Sequence, residues 1–237
     1  MKILILGAAS RFGPHLVKAL EGDHELLLSD IVEVESDHPN QRVDISSLAE
    51  VSAAVDGVDA VINSTVERGD RQRAFDVNTL GCYNTVRAAV DCGVPRVINT
   101  GPHFTIQGPT YESYDYGIGP DSPPHPGVNL YAHSKGIGQE ISRVFAENHP
   151  IHVLMLLFYI FREEGDAKFN HPHLISWSDA AQAVRCAVEV DLGTMPSSCE
   201  VFSILSDQPH GRFSNSKAKR LLGWQPVDDL SQHYTRQ

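Results

Sequence analysis

The sequence predicts an α/β fold built on a doubly wound parallel sheet. Three observations carry that expectation. Short apolar runs recur between helix-length amphipathic stretches, the rhythm of strand–helix–strand units with right-handed crossovers. The first run, Ile3 to Leu6, is apolar throughout rather than alternating, as in a strand buried on both faces. Gly7 then breaks it, and Gly13 opens a helical stretch.

That first unit has the order a phosphate-cradling turn requires. Gly7 permits the tight turn. Gly13 lets the helix, with Leu16, Val17 and Leu20 on one face, pack close to the strand. The free N–H groups and positive dipole end of the helix then face a pyrophosphate. Gly7, Ser10, Arg11, Phe12 and Gly13 are the candidate phosphate loop of a dinucleotide site. Ser10 stands where a glycine usually lets the backbone approach the phosphates. Its hydroxyl either donates to a phosphate or hinders one.

The second strand, His24 to Asp30, ends in an acid 23 residues after Gly7. An acid at that spacing accepts hydrogen bonds from the adenosine ribose and repels a 2′-phosphate. Asp30 therefore points to NAD over NADP. The segment Gln41 to Val43 leads to Asp44 and Ile45, candidates for the adenine. A helix over Ser47 to Val55 and a strand over Ala60 to Ile62 follow, with Asn63 at the strand end. Arg71 to Asp91 reads as one long helix with Phe75, Leu80, Val86 and Val90 among its apolar positions; Gly93-Val94-Pro95 ends it.

Arg96 to Asn99 is the next strand, with Thr100 at its end. The Gly/Pro/Tyr-rich segment Gly101 to Asn129 is long for a connector and is expected to wall a substrate pocket. A helix over Tyr131 to Asn148 and a strand over Val153 to Phe158 follow. Ser178 to Val190 reads as helix, Glu200 to Leu205 as strand and Ser214 to Leu222 as helix, together a small cap. Ligands of such sheets sit beyond the carboxyl ends of the strands. Gly7, Asp30, Asn63, Thr100 and the loop after Phe158 share that edge.

Tyr131 and Lys135 lie four residues apart on one helix face. A Lys⁺ beside a phenol lowers its pKa and equips it to exchange a proton with an alcohol. A solvated surface pair is the alternative.

Composition narrows the partners. The chain has 237 residues, a net charge of −11 and 41% hydrophobic residues, which disfavours nucleic acid and anionic membranes. The longest apolar run, Val153 to Phe161, has nine residues, too few to span a bilayer. Met1-Lys2 leads straight into a core strand, so no signal peptide is read. Four cysteines without a CxxC pair suggest reduced, mostly buried thiols in a cytoplasmic protein. His171-Pro172-His173 lacks a Cys or acid at ligand spacing, so no metal is expected. Pro120 to Pro126 reads as a stiff loop.

Gly7…Gly13, Asp30, Asn78-Thr79-Leu80-Gly81, Tyr131…Lys135, Ile175 to Val184 (ISWSDAAQAV) and Leu221 to Pro226 (LLGWQP) occur in that order. On these residues the chain resembles the extended short-chain dehydrogenase/reductase superfamily, the NAD-dependent epimerase/dehydratase group. Through His103…Thr105-Ile106 and Leu130-Tyr131…Ser134-Lys135 it is similar to uronate dehydrogenases.

The resemblance implies a Rossmann-like dinucleotide-binding domain over residues 1–160 and a small substrate-side region over 161–237, integrated with it. It implies NAD as cofactor, with Asn63, Tyr131 and Lys135 also contacting it. Tyr131 exchanges the proton, Lys135 lowers its pKa and bonds the nicotinamide ribose, and Thr100 polarises the substrate oxygen. The family's second hydroxyl position is Gly101 here, so Thr105 is the fallback. Thr65, Asn78 and His103 are the implied substrate-site residues, Asn78 by bonding backbone near the active site; a His in an exposed loop is the alternative for His103, and an ordinary polar helix position the alternative for Asn78. A uronate carboxylate suits the planar fork of an Arg; Arg162 is the first candidate, Arg68 and Arg71 its rivals. Phe158 to Arg162 replaces the family's small polar residues and is expected to alter the nicotinamide pocket.

The implied activity is NAD-dependent oxidation of a sugar or uronic acid hydroxyl. A nucleotide-sugar epimerase or reductase, and a non-catalytic NAD(P)-sensing protein that keeps the fold, are the alternatives. The partner is a sugar-like small molecule, with a homodimer through two long helices also expected.

Overall fold

A computed structural model describes residues 1–107, 119–122, 124–163, 165–167, 173–209, 211 and 213–234. Much of the Gly101 to Asn129 connector, residue 123 of the Pro120 to Pro126 loop, and His171 with Pro172 lie outside the described residues.

The strands are β1 (Lys2–Leu6), β2 (Glu25–Asp30), β3 (Asn40–Arg42), β4 (Ala60–Asn63), β5 (Arg96–Pro102), β6 (His152–Phe158), β7 (Ile160–Phe161), β8 (Leu174–Ile175) and β9 (Cys199–Ile204). Seven form one parallel sheet in the order β3-β2-β1-β4-β5-β6-β9. β7 and β8 make a separate two-stranded ladder. The sheet order reverses between β1 and β4, and a crevice opens there beyond the carboxyl ends. The helices are α1 (Gly13–Leu20), α2 (Leu48–Val55), α3 (Arg71–Phe75), α4 (Gly81–Asp91), α5 (Phe104–Gln107), α6 (Leu130–Asn148), α7 (Trp177–Glu189) and α8 (Ser216–Leu222).

β1 shows why its sequence is apolar throughout. Ile3 and Ile5 join the core that includes Leu16 and Leu20 of α1 and Val184 of α7. Leu4 and Leu6 point the other way, into the core that includes Val51 of α2 and Val86 of α4. Period-2 alternation thus sends successive side chains into two different cores.

One expected element differs. Arg71 to Asp91 is not one regular helix: a π-helical turn over Asp76–Leu80 separates α3 from α4. The wider turn shifts the helical face, and Phe75 and Leu80 end 38% and 41% exposed. Such turns collect at functional sites, and this one carries Asn78. The thiols also differ from expectation. Cys82 is buried, Cys186 and Cys199 are partly so, and Cys92 is exposed; all four are unpaired.

Residues after Phe161 complete the sheet rather than merely capping it. β9 pairs with β6 along its whole length. The two C-terminal motifs lock together: Ser176 caps α7 by accepting from Asp179 N, the Asp179 carboxylate accepts from Val227 N (2.9 Å) and Asp228 N (3.1 Å), and buried Trp224 donates from Nε1 to Asp179 O (2.9 Å). Arg96, at the start of β5, closes the other end of α7. Its guanidinium donates to the carbonyls of Ala187 (2.8 Å), Val188 and Val190 (2.7 Å), which no helical N–H can reach. Among the described residues no helix is long and apolar enough to cross a membrane.

Candidate active site

The glycine turn is built by close backbone approach. Gly7 adopts φ +89°, and a Cβ there would lie 2.8 Å from the Ser64 carbonyl carbon. A Cβ on Gly13 would fall on the Ala8 carbonyl, 2.6 Å from its carbon. Both positions therefore demand glycine. Asp30 stands at the end of β2. Its Oδ2 accepts from Ala9 N in the turn (3.0 Å) and its Oδ1 from Ile31 N (2.7 Å). The carboxylate thus braces the loop and also borders the crevice.

The first part of that crevice is a cleft of about 550 Å³, bordered by Gly7, Ser10, Asp30, Asp44, Ile45 and Thr65 among others. Asp44 accepts from Ser46 Oγ (2.7 Å) and Ser46 N (2.9 Å). These two bonds hold its carboxyl below the usual carboxylate value against the opposing pull of burial. Among the described residues the buried Ser10 hydroxyl has no hydrogen-bond partner. An orphaned donor in a glycine cradle, with an acid at the next strand end, fits the pyrophosphate and ribose of a dinucleotide. Asn63 is buried, and its Oδ1 accepts from Thr65 Oγ1 (2.7 Å) and Thr65 N (3.2 Å). It props Thr65, which borders the cleft in its place.

A second cleft of about 810 Å³ shares Ser10, Ser64, Thr65 and Val66 with the first. It brings together Arg11, Phe12, Thr100, His103, Tyr131, Lys135 and Arg162. Asn129 caps α6 by accepting from Ala132 N (3.0 Å), which sets Tyr131 in the first turn. Lys135 is buried and donates from Nζ to the carbonyls of Thr65 (2.7 Å) and Thr100 (3.1 Å). Burial, opposed by Cys82 and aided by Arg68, brings the ammonium down to about 8.

A second cation stands at the phenol. Arg68, from the loop after β4, lies over the Tyr131 ring with Cζ 4.9 Å from its centroid. Burial raises the Tyr131 phenol above its ordinary value; the Arg68 guanidinium beside it pulls the other way. The Lys135 ammonium on the same helix is held by the two carbonyls.

The strand-end hydroxyls are also committed. Thr100 Oγ1 donates to Asn63 O (3.0 Å), and Thr105 Oγ1 to Pro102 O (3.1 Å). At Gly101, a Cβ would fall on the side-chain amide of Gln139 and 3.2 Å from Leu157 Cδ2. His103 is 2% exposed, so it is no surface histidine. Its Nδ1 lies 3.3 Å from Phe158 O, and its ring stacks on Tyr159 at 4.4 Å. Arg162 donates from Nη1 to Phe161 O (2.9 Å). Arg71 opens α3 and is exposed.

Asn78 bonds backbone beside the site. Its Oδ1 accepts from Glu67 N (3.0 Å), while Nδ2 donates to Glu67 O (2.7 Å) and Ser134 Oγ (3.0 Å). It ties the loop carrying Arg68 to α6.

An aromatic wall was not foreseen. Phe161 stacks on Trp177 at 3.9 Å, Phe12 meets Phe158 edge-on at 5.2 Å, and Arg11 lies over Trp177 at 5.5 Å. The unusual Phe158 to Arg162 run was its sequence signal; nothing in the sequence told that Trp177 would join it. Among the described residues no group of three His, Cys, Asp or Glu could hold a metal ion.

The NAD dependent epimerase/dehydratase family model matches residues 3–177. The chain belongs to that family. It is accordingly an enzyme, and its cofactor is NAD. L-arabinose 1-dehydrogenase (NAD(P)(+)) of Haloferax volcanii is 23% identical over 252 residues, covering 96% of this chain and 97% of the relative. Uronate dehydrogenase of Agrobacterium fabrum is 26% identical over 191 residues, 79% of this chain and 68% of the relative. Among solved structures, MoeE5 in complex with UDP-glucuronic acid and NAD superposes with a TM-score of 0.80 at 16% identity, covering 99% of this chain and 96% of that one. It shares the fold.

Proposed function

We propose that the protein oxidises a hydroxyl of a free sugar or uronic acid with NAD⁺. The observation that carries this is the continuity of the two clefts: Tyr131 and Lys135 stand in one, the glycine cradle and Asp30 in the other, and Ser10 and Thr65 border both. The relatives named for L-arabinose and uronate place sugar oxidation among the activities of similar chains.

NAD⁺, when bound, supplies the hydride acceptor. Ser10 donates to its pyrophosphate across the turn formed by Gly7, Arg11, Phe12 and Gly13. Asp30 accepts from the adenosine ribose, and Asp44 with Ile45 meets the adenine. Lys135, with two of its three N–H groups on carbonyls, keeps the third for the nicotinamide ribose. Tyr131 removes the hydroxyl proton of the substrate. Thr100, whose own proton is held by Asn63 O, accepts a hydrogen bond and so orients that hydroxyl. Thr65 and His103 contact the sugar, and Arg162 takes its carboxylate. The aromatic wall excludes water from the cleft.

Turnover of NAD⁺ with L-arabinose, D-glucuronate and D-galacturonate tests this reading. Tyr131→Phe should lose at least 10²-fold in kcat, roughly what a positioned acid–base group supplies, while calorimetric NAD binding stays intact. NAD binding with no turnover on any sugar, or full activity without the phenol, would overturn it.

Exposed Phe75, Leu80, Ile137 and Val144 on the adjoining α3, π-helical turn and α6 favour pairing with a second copy through this face. Unpaired cysteines suit a reducing cytoplasm.

A further inference from the structure

We infer that Arg68 is the positioning residue that sets the proton affinity of Tyr131 in this chain. The inference rests on the reading of Tyr131 as the acid–base group. Three observations carry it.

The guanidinium lies over the phenol ring, Cζ 4.9 Å from the centroid, while the Lys135 ammonium is held by the carbonyls of Thr65 and Thr100. The loop bearing Arg68 is fastened to the helix bearing Tyr131, because Asn78 bridges Glu67 and Ser134. Finally, the neighbouring acid does not neutralise Arg68. Glu67 Oε1 accepts from Arg68 N and Gly69 N (2.8 Å each), and its Oε2 faces Arg73 at 3.8 Å. Among the described residues no carboxylate pairs with the Arg68 side chain.

Burial works against a phenolate, so a nearby cation must offset it. Burial also brings the Lys135 ammonium down to about 8, which weakens its hold on a phenolate in alkaline solution. A guanidinium stays charged throughout. Cation–ring contact at an open cleft mouth favours the same arrangement. Among the described residues, the other charged or titratable groups lining the cleft that holds Tyr131 are Lys135 on its own helix, His103 at the end of β5, Arg11 in the glycine turn, and Arg162, Glu163 and Asp166 after β7. All remain in an Arg68 variant, so they act equally in both proteins.

The test is an ultraviolet titration of tyrosinate in the full chain, each protein read against its own Tyr131→Phe partner. Arg68→Gln should raise the Tyr131 midpoint by about one pH unit, a tenfold loss of phenolate at a given pH. Arg68→Lys, which keeps a charge without the planar fork, should raise it less. With a sugar that is oxidised, the rising limb of the kcat–pH profile should move by the same amount. Activity should then recover at alkaline pH with KM unchanged. An unmoved Tyr131 midpoint in Arg68→Gln overturns the inference, as does a KM increase without a pH shift, which would make Arg68 a substrate anchor. The titration reads the phenol directly, so it decides the matter even where no sugar is turned over and the functional reading has failed.

Discussion

Gly13→Ala puts the construction of the cradle to a direct test. At the first position of an exposed helix this change ordinarily stabilises, by about 0.4–1 kcal/mol, because it restricts the unfolded chain. Here the new methyl would sit 2.6 Å from the Ala8 carbonyl carbon and 3.1 Å from Ala8 Cα. The Ala8 carbonyl oxygen lies closer still to the methyl, whereas non-bonded heavy atoms rest more than about 3 Å apart, so α1 must withdraw by more than about 1 Å. Both sides of the clash are backbone, and no rotamer change relieves it. The strain belongs at the upper end of overpacking costs, about 3 kcal/mol. For a chain of this size that lowers Tm by roughly 6–12 °C. The same withdrawal stretches hydrogen bonds from the α1 N-terminus to a phosphate beyond their working length of roughly 3 Å, and NAD affinity should fall at least about tenfold. Thermal unfolding followed by circular dichroism, with calorimetric NAD binding, reads both quantities. A variant as stable as the parent, or more so, with unchanged NAD affinity would refute the reasoning.

Ser10→Ala should separate binding from stability: it removes an unpartnered buried hydroxyl, so the free protein should be no less stable, while NAD binds roughly tenfold more weakly. Equal NAD affinity would discard the pyrophosphate contact. Arg96→Met strips the carbonyl terminus of α7 of three bonds and should cost about 2–4 kcal/mol, read as a lower denaturant midpoint; an unchanged midpoint would count against the cap. Lys135 also predicts a pH dependence. The folded chain holds its proton only to about 8, the unfolded chain to 10.5. Between those values the unfolded state binds more protons, so stability should rise with pH, by about 3 kcal/mol at most across the window. Denaturation of Lys135→Met should lack that rise relative to the parent, and parallel curves would show that the ammonium is not penalised.

The sheet was legible because its strands are short, apolar and regularly spaced, and because Gly7, Gly13 and Asp30 have roles fixed by local geometry. The catalytic candidates were located for the same reason, as strand ends and one helical turn. What escaped was anything decided by contacts between distant loops. Tyr131 and Lys135 share a helix face, and that spacing suggested their mutual contact. Spacing could not tell that the ammonium would also bond two carbonyls, or that a cation 63 positions upstream would lie over the phenol ring. The helix expected over Arg71 to Asp91 has the right span, yet periodicity could not foresee the π-helical turn, since its shape answers to Asn78 holding a loop. Trp177 fits a helix face equally well whether it meets solvent or Phe161.

The pairing of β6 with β9 sets the order in which this chain can finish folding. β6 carries the run of apolar residues from Val153 to Phe158, and its far edge stays open until Cys199–Ile204 arrives. The Asp179 clasp closes later still, with Val227 and Asp228. A nascent chain on the ribosome therefore holds every residue of the cradle and the Tyr131 helix long before it can seal them. Chains cut short ahead of β9 would present a bare hydrophobic strand edge, the template on which proteins aggregate.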